Sequence, residues 1–85
     1  MRLVYFHTAC SRNGNQLKDL IIDYCMDNGI DFSIYDCDED ADVMNDYDVH
    51  GMPPAFVVFN ESGRKIATRR GKFTEEDLNK IFQAQ

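Results

Sequence analysis

Residues 53–63 read Pro-Pro-Ala-Phe-Val-Val-Phe-Asn-Glu-Ser-Gly and contain the strongest strand signal in the chain. The two prolines interrupt regular secondary structure just before the predicted strand. The five residues after them are apolar and rich in aromatic and β-branched types, which predicts a strand over Ala55–Phe59. Residues 60–63 form a four-residue turn, and a turn this short joins antiparallel strands. A hairpin is therefore predicted, with its second strand over residues 65–69 and a break at Gly71.

Upstream of the hairpin, the sequence predicts a strand, a helix and a second strand. Residues 3–6 are a short apolar run rich in β-formers, and residues 7–14 are expected to be a loop. Apolar residues then recur at the spacing of an amphipathic helix that ends at Gly29, and residues 32–36 alternate as a second strand. The apolar helix positions are Leu17, Leu20, Ile21, Tyr24 and Cys25. A strand-helix-strand unit makes a right-handed crossover, so these two strands are predicted to be parallel.

Two further helices complete the predicted fold. Residues 39–47 are acidic and indicate a short helix, and Thr74 is expected to cap a final helix, with Asp77 three residues on. The inner face of the final helix is Leu78, Ile81 and Phe82. The order β-α-β-α-β-β-α predicts an α/β fold with a four-stranded mixed sheet and helices on both faces. Because 85 residues are too few for two cores, residues 1–85 are expected to form one domain.

The charge balance excludes several classes of partner. The chain has 15 Asp and Glu against 9 Lys and Arg, a net charge of -6. A nucleic-acid surface needs a basic stripe to neutralise phosphates, and docking on anionic lipid needs basic clusters. No run approaches the roughly 18 apolar residues of a membrane span, and the apolar start is too short for a signal peptide. We expect a cytoplasmic monomer that binds neither nucleic acid nor membrane.

Three local motifs in this element order resemble the thioredoxin superfamily, and the resemblance covers nearly the whole chain. The first is a strand that leads into a cysteine at a helix start, over residues 5–10. The second is the acidic strand end at residues 35–38, followed by residues 47–53, which resemble the Gly-x-Pro before the family's cis-proline. The third is the turn after Phe59, together with the Gly71 that precedes the last helix.

The resemblance implies a thioredoxin-like fold and thiol-disulfide chemistry with Cys10 as the catalytic residue. It also implies a substrate groove beside a cis-proline, where the residue before the proline offers backbone hydrogen bonds to an extended substrate. The groove residues are Ala9, Met52, Pro53 and Pro54. Counting forward from the middle helix favours a cis bond at Met52-Pro53, whereas counting backward from the turn after Phe59 favours Pro53-Pro54.

The departures from the family pattern concern the reaction cycle. Asn13 stands where the second cysteine of Cys-x-x-Cys is expected, and Ala9 replaces the usual aromatic residue before the first. The buried acid of many thioredoxins falls at Val4 or Tyr5, and the chain has no Trp. An ordinary dithiol cycle is therefore impaired, so release of a mixed disulfide at Cys10 requires glutathione, another protein or a more distant thiol.

A thiol at a helix start has an identifiable chemistry. The unpaired N–H groups and the positive end of the helix dipole favour the thiolate, which attacks disulfides and leaves as a mixed disulfide. Arg12 adds to this effect if it points back, and Ser11 or Asn13 is expected to cap the helix. The leading hypothesis is a monothiol protein that exchanges disulfides with a protein or with glutathione as co-substrate; no other cofactor is expected.

Two other functions remain open from the sequence. The first is a redox-inactive binding module that keeps the fold and recognises a protein partner through the proline-loop groove. The second is an oxyanion reductase, because residues 9–13, Ala-Cys-Ser-Arg-Asn, also resemble the nucleophile loop of arsenate reductases. That reading assigns anion binding to Arg12.

The remaining cysteines and the two histidines have weaker assignments. Cys25 lies in the apolar stripe of the first helix and is expected to be a core residue. Cys37 follows the second strand at the same sheet edge as Cys10, which makes it a candidate resolving cysteine. His7 precedes the nucleophile loop and is a candidate base, because histidine exchanges protons near neutral pH, and His50 flanks the proline loop. The favoured interpretation of both is a loop residue without chemistry. Because the cysteines are 15 and 12 residues apart and the histidines are distant, no metal site is expected.

Overall fold

A computed structural model of the protein describes residues 1–8, 14–37, 42–49 and 54–83. Its elements are β1 (Arg2–His7), α1 (Gly14–Asn28), β2 (Asp31–Asp36), α2 (Val43–Asp46), β3 (Ala55–Phe59), β4 (Lys65–Arg70) and α3 (Glu75–Gln83). The predicted order β-α-β-α-β-β-α is confirmed. The described part of the acidic helix is one turn, and none of the described helices is long and apolar enough to cross a membrane.

The four strands form one sheet in the order β2-β1-β3-β4. β1 and β2 are parallel, with His7 opposite Asp36, whereas β1 and β3 are antiparallel, with Phe6 opposite Ala55. β3 and β4 form the predicted antiparallel hairpin. The mixed sheet is thus confirmed. Its register places the last residues of β1 and β2 beside the first residue of β3, and we call this side of the sheet the carboxyl edge.

Alternation along β1 and β3 divides the core between the two faces of the sheet. On the first face, Leu3, Tyr5, Phe56 and Val58 pack against α1 and α3. On the second face, the intervening residues of the same strands pack against α2 and the residues after it. The core of the second face contains Val4, Phe6, Val43, Met44, Val49, Ala55 and Val57. Helices on both faces were predicted, and the structure confirms them.

The ends of the elements show the local chemistry that the sequence indicates. Gly29 has a φ of 65°, the left-handed conformation of a helix C-cap. The Thr74 N–H donates to Asp77 Oδ2 at 2.9 Å, and the Asp77 N–H donates to Thr74 Oγ1 at 3.3 Å, which forms a reciprocal cap at the start of α3. In the hairpin turn, the Gly63 N–H donates to the Asn60 carbonyl at 3.0 Å.

Candidate functional site

The carboxyl edge brings three chemically interesting stretches of the chain together. The backbone N–H of Cys37 donates to the carbonyl of His7 at 2.8 Å, so the residue after β2 lies beside the end of β1. Pro54 immediately precedes Ala55, which is paired with Phe6 of β1. The chain after β1, the chain after β2 and the chain before β3 therefore all connect at this edge.

Most of the predicted site residues lie outside the described residues. They are Ala9, Cys10, Ser11, Arg12, Asn13, Met52 and Pro53, together with His50. The alternative positions of the cis-proline involve Pro53 and lie there too. The structure describes the residues that flank these segments: Thr8 and Gly14 on either side of residues 9–13, and Pro54 after residues 50–53. The roles of the seven site residues thus stay predictions.

Pro54 is held in place from the side of the hairpin. Its carbonyl accepts a hydrogen bond from the Gly71 N–H at 2.8 Å, and Gly71 adopts a positive φ of 80°. This bond extends the pairing of β3 with β4 by one step beyond Ala55, which lies opposite Arg70. The chain that enters β3 is consequently fixed against the end of β4.

A cleft lies next to this edge, between the first turn of α1 and the segment that leads into α3. Its volume is about 370 Å³, and Leu17 and Phe73 form part of its apolar wall. Charged side chains line the remainder, with Arg69 Nη2 lying 3.5 Å from Asp77 Oδ2. The hydrogen bond from the Thr74 backbone and the charge of Arg69 lower the pKa of Asp77. A larger cleft of about 530 Å³ lies at the opposite side of the sheet, around Arg2 and Tyr47.

Cys37 is half-buried and packs against the core of the second face. Burial, and after it the negative charge of an ionised Cys37, raise the pKa of Tyr5 to about 12. The placement of Cys37 at the carboxyl edge follows the prediction from parallel strands. Its pairing with Cys10 remains a prediction.

Cys25 lies in the core, as predicted, with 1% of its surface exposed. Burial raises the pKa of its thiol to about 11. A thiol that is both inaccessible and fully protonated at neutral pH is inert towards disulfides. Cys25 is therefore a core residue of α1.

The predicted loop position of His7 is wrong. His7 is the last residue of β1, only 8% of its surface is exposed, and its Nδ1 is buried without a hydrogen-bond partner among the described residues. Its ring lies 6.2 Å from that of Tyr5. The sequence does contain a signal for this burial. Side chains of a strand alternate between the two faces of a sheet, so His7 lies on the same face as the buried Leu3 and Tyr5.

The described residues do not include a group of three or more His, Cys, Asp or Glu side chains arranged to hold a metal ion. The acidic side chains of the described ranges are spread over several elements.

No protein-family model matches this chain, and no curated protein matches it. Solved structures do. Thioredoxin 1 from Thermosipho africanus superposes with a TM-score of 0.84 at 14% identity, over 99% of this chain and 92% of that one. A chain in a structure on the thiol resolving mechanism in yeast mitochondrial 1-Cys peroxiredoxin via glutathione/thioredoxin systems gives a TM-score of 0.77 at 18% identity, over 96% and 76%.

A third similar structure is the germline-specific thioredoxin Deadhead from Drosophila melanogaster. Its TM-score is 0.72 at 15% identity, over 98% of this chain and 78% of that one. The three likenesses extend over 96–99% of this chain. They show that this protein has the thioredoxin fold.

Proposed function

We propose that this protein is a thioredoxin- or glutaredoxin-like thiol-disulfide protein in which Cys10 forms mixed disulfides with a protein or with glutathione. The main support for the proposal is the position of Cys10 in the sequence between β1 and α1. β1 ends at His7 and α1 begins at Gly14, so Cys10 belongs to the short segment between a buried central strand and the first turn of a 15-residue helix. In this fold, that segment is the one that enters a helix from the carboxyl edge.

The position favours the reactive form of the thiol. The first N–H groups of a helix have no intrahelical partner, and they stabilise a nearby negative charge together with the helix dipole. The pKa of a thiol in such a position falls below about 8.5, which increases the fraction of thiolate at neutral pH. The thiolate attacks one sulfur of a disulfide, forms a new S–S bond and releases the other half as a thiolate.

The geometry of the carboxyl edge supports the same function. Backbone hydrogen bonds anchor His7, Cys37 and Pro54 there, Cys10 follows His7 by three residues in the sequence, and Pro53 directly precedes Pro54. A nucleophile and a proline loop at one edge are what a thiol protein requires to align an extended partner. Met52, Pro53 and Pro54 are the residues that we expect to line the groove, with Ala9 on the other side.

Resolution of the mixed disulfide needs a second thiol, because Asn13 occupies the usual position of the resolving cysteine. Glutathione or a thiol of the partner can supply it. Cys37 is the candidate within the chain, since its backbone is hydrogen-bonded to His7, three residues before Cys10. The Cys37 thiolate would attack Cys10 Sγ, form a Cys10–Cys37 disulfide and release the partner as a thiolate.

The decisive test is mass spectrometry of the folded protein after exposure to oxidised glutathione. We expect one glutathione per chain on Cys10, or the Cys10–Cys37 disulfide where Cys37 has displaced it, as located by peptide mapping, and neither product after Cys10→Ser. The matched control is Cys25→Ser, which should retain the adduct because the Cys25 thiol is buried. A Cys10 that stays unmodified and reacts with iodoacetamide no faster than a free cysteine contradicts the proposal.

Two further measurements identify the substrate of Cys10 and the thiol that resolves its mixed disulfide. An insulin-reduction assay tests for transfer to a protein disulfide, and peptide mapping after mild oxidation tests for the Cys10–Cys37 crosslink. Absence of that crosslink in the folded protein excludes Cys37 as the resolving thiol. If Cys10→Ser leaves binding of a partner unchanged and neither assay shows exchange, the protein is instead a redox-inactive binding module.

A further inference from the structure

The four tyrosines of the chain lie in two different environments. Tyr5 and Tyr24 belong to the core of the first face, with 0% and 6% of their surfaces exposed. Tyr35 and Tyr47 are half-buried and pack at the margin of the core of the second face. A reagent in solution therefore reaches Tyr35 and Tyr47 more readily than the other two.

Tyr35 and Tyr47 lie next to each other although they come from different elements. Tyr35 is part of β2, and Tyr47 directly follows α2. The centroids of the two rings are 5.9 Å apart at an interplanar angle of 44°, and the two hydroxyl oxygens are 3.4 Å apart. The ring carbons ortho to each hydroxyl are bonded to the carbon that carries the oxygen. These reactive carbons of the two rings are consequently close neighbours as well.

The core of the second face holds the two rings in this arrangement. The ring centroid of the buried Phe6 lies 6.3 Å from that of Tyr35 and 5.7 Å from that of Tyr47. The ring centroid of Phe59 lies 6.0 Å from that of Tyr47 on another side. All of these distances are within the range of packed aromatic pairs. The rings are thus positioned by packing, while part of each tyrosine stays exposed to solvent.

We propose that Tyr35 and Tyr47 form an oxidative crosslinking site, at which a one-electron oxidant joins the two rings by a dityrosine bond within one chain. Because the fold holds the two reacting groups side by side, their coupling is a unimolecular step and is faster than coupling between chains. The bond connects β2 to the residue after α2 and so fastens this four-residue helix to the sheet. The site contains no thiol and is separate from the proposed chemistry of Cys10.

The reaction is balanced in atoms and electrons. Each phenol gives one electron to the oxidant and loses its hydroxyl proton, which leaves two phenoxyl radicals. The radicals couple through a ring carbon ortho to each oxygen and form one C–C bond. The ortho carbons then lose their protons and the oxygens regain theirs, so the product lacks two hydrogen atoms. With hydrogen peroxide as the terminal oxidant, the two electrons and two protons reduce one peroxide to two waters.

The test is treatment of the wild-type protein with a haem peroxidase and hydrogen peroxide in excess over the thiols. We expect dityrosine fluorescence from the monomer, which no Trp obscures because the chain has none. Glu39 lies between the two tyrosines in the sequence, so cleavage after glutamate should release a crosslinked pair of peptides that lacks two hydrogen atoms. Tyr35→Phe and Tyr47→Phe should each lose this product. Tyr24→Phe is the matched control and should retain it.

The outcomes that overturn the proposal follow from the same experiment. Dityrosine found only in crosslinked dimers overturns it, and so does an intrachain product that persists in Tyr35→Phe or Tyr47→Phe. Protection of the buried Cys25 thiol from alkylation, measured before oxidation, reports that each variant is folded.

The effect on the second face is measured by urea unfolding of the crosslinked protein. A covalent link restricts the unfolded chain, so the midpoint should move to higher urea concentration in the treated wild type. Treated Tyr47→Phe controls for other oxidation and should show no such increase. An unchanged midpoint in the crosslinked wild type overturns the fastening of α2.

Discussion

The two faces of the sheet are built from the same strands but are closed in different ways. The first face is covered by α1 and α3, of 15 and 9 residues, and its sheet residues Leu3, Tyr5, Phe56 and Val58 are fully buried. The second face has only the four-residue α2 over it in the described part of the chain. Aromatic rings also pack over this face: the ring centroid of Tyr47 lies 5.7 Å from that of Phe6 and 6.0 Å from that of Phe59.

The difference affects the chemistry of each face. The first face removes water from its ionisable groups, as the raised pKa values of Tyr5 and Cys25 show. Both faces have partly buried residues at their margins, and on the second face these are Tyr35, Cys37, Tyr47 and Phe59. Among the described residues, ten form the buried core of the first face and seven that of the second, so stability is expected to reside mainly in the first face. The second face has the half-buried Cys37 at its margin.

The largest expected effect comes from truncating a phenylalanine on either face. Phe56 and Phe6 are both fully buried, but Phe56 packs edge-on against Phe73 at 4.8 Å beneath two helices, whereas Phe6 packs against the half-exposed Tyr35 and Tyr47. Exposed neighbours move more easily into a cavity. We expect Phe56→Ala to lower the free energy of unfolding by about 4–5 kcal/mol and Phe6→Ala by about 3 kcal/mol. Urea unfolding measures both, and equal losses would contradict the comparison.

The second effect is a loss of stability at alkaline pH that is specific to the first face. The ordinary pKa of 9.0 for Cys25 is raised to about 11 by burial, so above pH 9 the unfolded chain releases a proton that the folded protein keeps. The contribution of Cys25 to the free energy of unfolding is therefore fully present below pH 9. It is lost as pH rises towards 11, by about 1.4 kcal/mol for each pH unit.

Urea unfolding at pH 8, 9 and 10 tests this effect, since Tyr5 does not contribute below its ordinary pKa of 10.0. Cys25→Ala should show a flatter dependence between pH 9 and 10, whatever its loss of stability at neutral pH. Val49→Ala on the second face removes a buried side chain without an ionisable group, so it is the control and should keep the wild-type slope. The burial argument fails if the slopes of wild type and Cys25→Ala coincide.

The helices over the two faces also differ at their starts. Thr74 caps α3 through a reciprocal pair of bonds with Asp77, whereas Asp42, at the start of α2, makes no side-chain capping bond. Thr74→Ala should therefore lower the free energy of unfolding by about 1 kcal/mol, and Asp42→Ala should leave it nearly unchanged. Thermal unfolding of the two variants measures the difference. A comparable loss in Asp42→Ala would show that α2 is capped after all.

Much of the first face could be predicted from the sequence because its signals are local. The hairpin follows from the apolar run of β3 and the turn that starts at Asn60, and the start of α3 follows from Thr74 and Asp77. Periodicity placed Cys25 in the core, and chain connectivity required β1 and β2 to be parallel. These patterns depend on neighbours within a few residues, so a single sequence is enough to recognise them.

The environment of His7 could not be predicted in the same way. A polar residue after an apolar run is typical of a loop, whereas His7 is the last residue of β1 and only 8% of its surface is exposed. The unpartnered Nδ1 depends on the placement of every neighbouring donor, which has no pattern in the sequence. The roles of Cys10, Asn13 and the proline loop stay predictions from position and resemblance.

The smallest expected effect compares one tyrosine hydroxyl on each face. On the first face, the Tyr24 hydroxyl donates to Asn79 Oδ1 at 2.8 Å and so links α1 to α3. On the second face, the hydroxyls of Tyr35 and Tyr47 are 3.4 Å apart, a length at which little bonding energy remains. Tyr24→Phe should lower the free energy of unfolding by about 0.5–1 kcal/mol, and Tyr47→Phe should change it very little.

Both tyrosine substitutions keep the aromatic ring, so packing against Phe82 or Phe59 is retained and only the hydroxyl is tested. The double variant should lose no more than the sum of the two, since the groups lie on opposite faces of the sheet. A larger loss in Tyr47→Phe than in Tyr24→Phe would mean that the hydroxyl pair stabilises the second face. The aromatic rings of the second face would then be held by polar contacts as well as by packing. Tyr35 and Tyr47, which belong to the same cluster as Cys37, would be more rigid than a 3.4 Å hydroxyl separation implies.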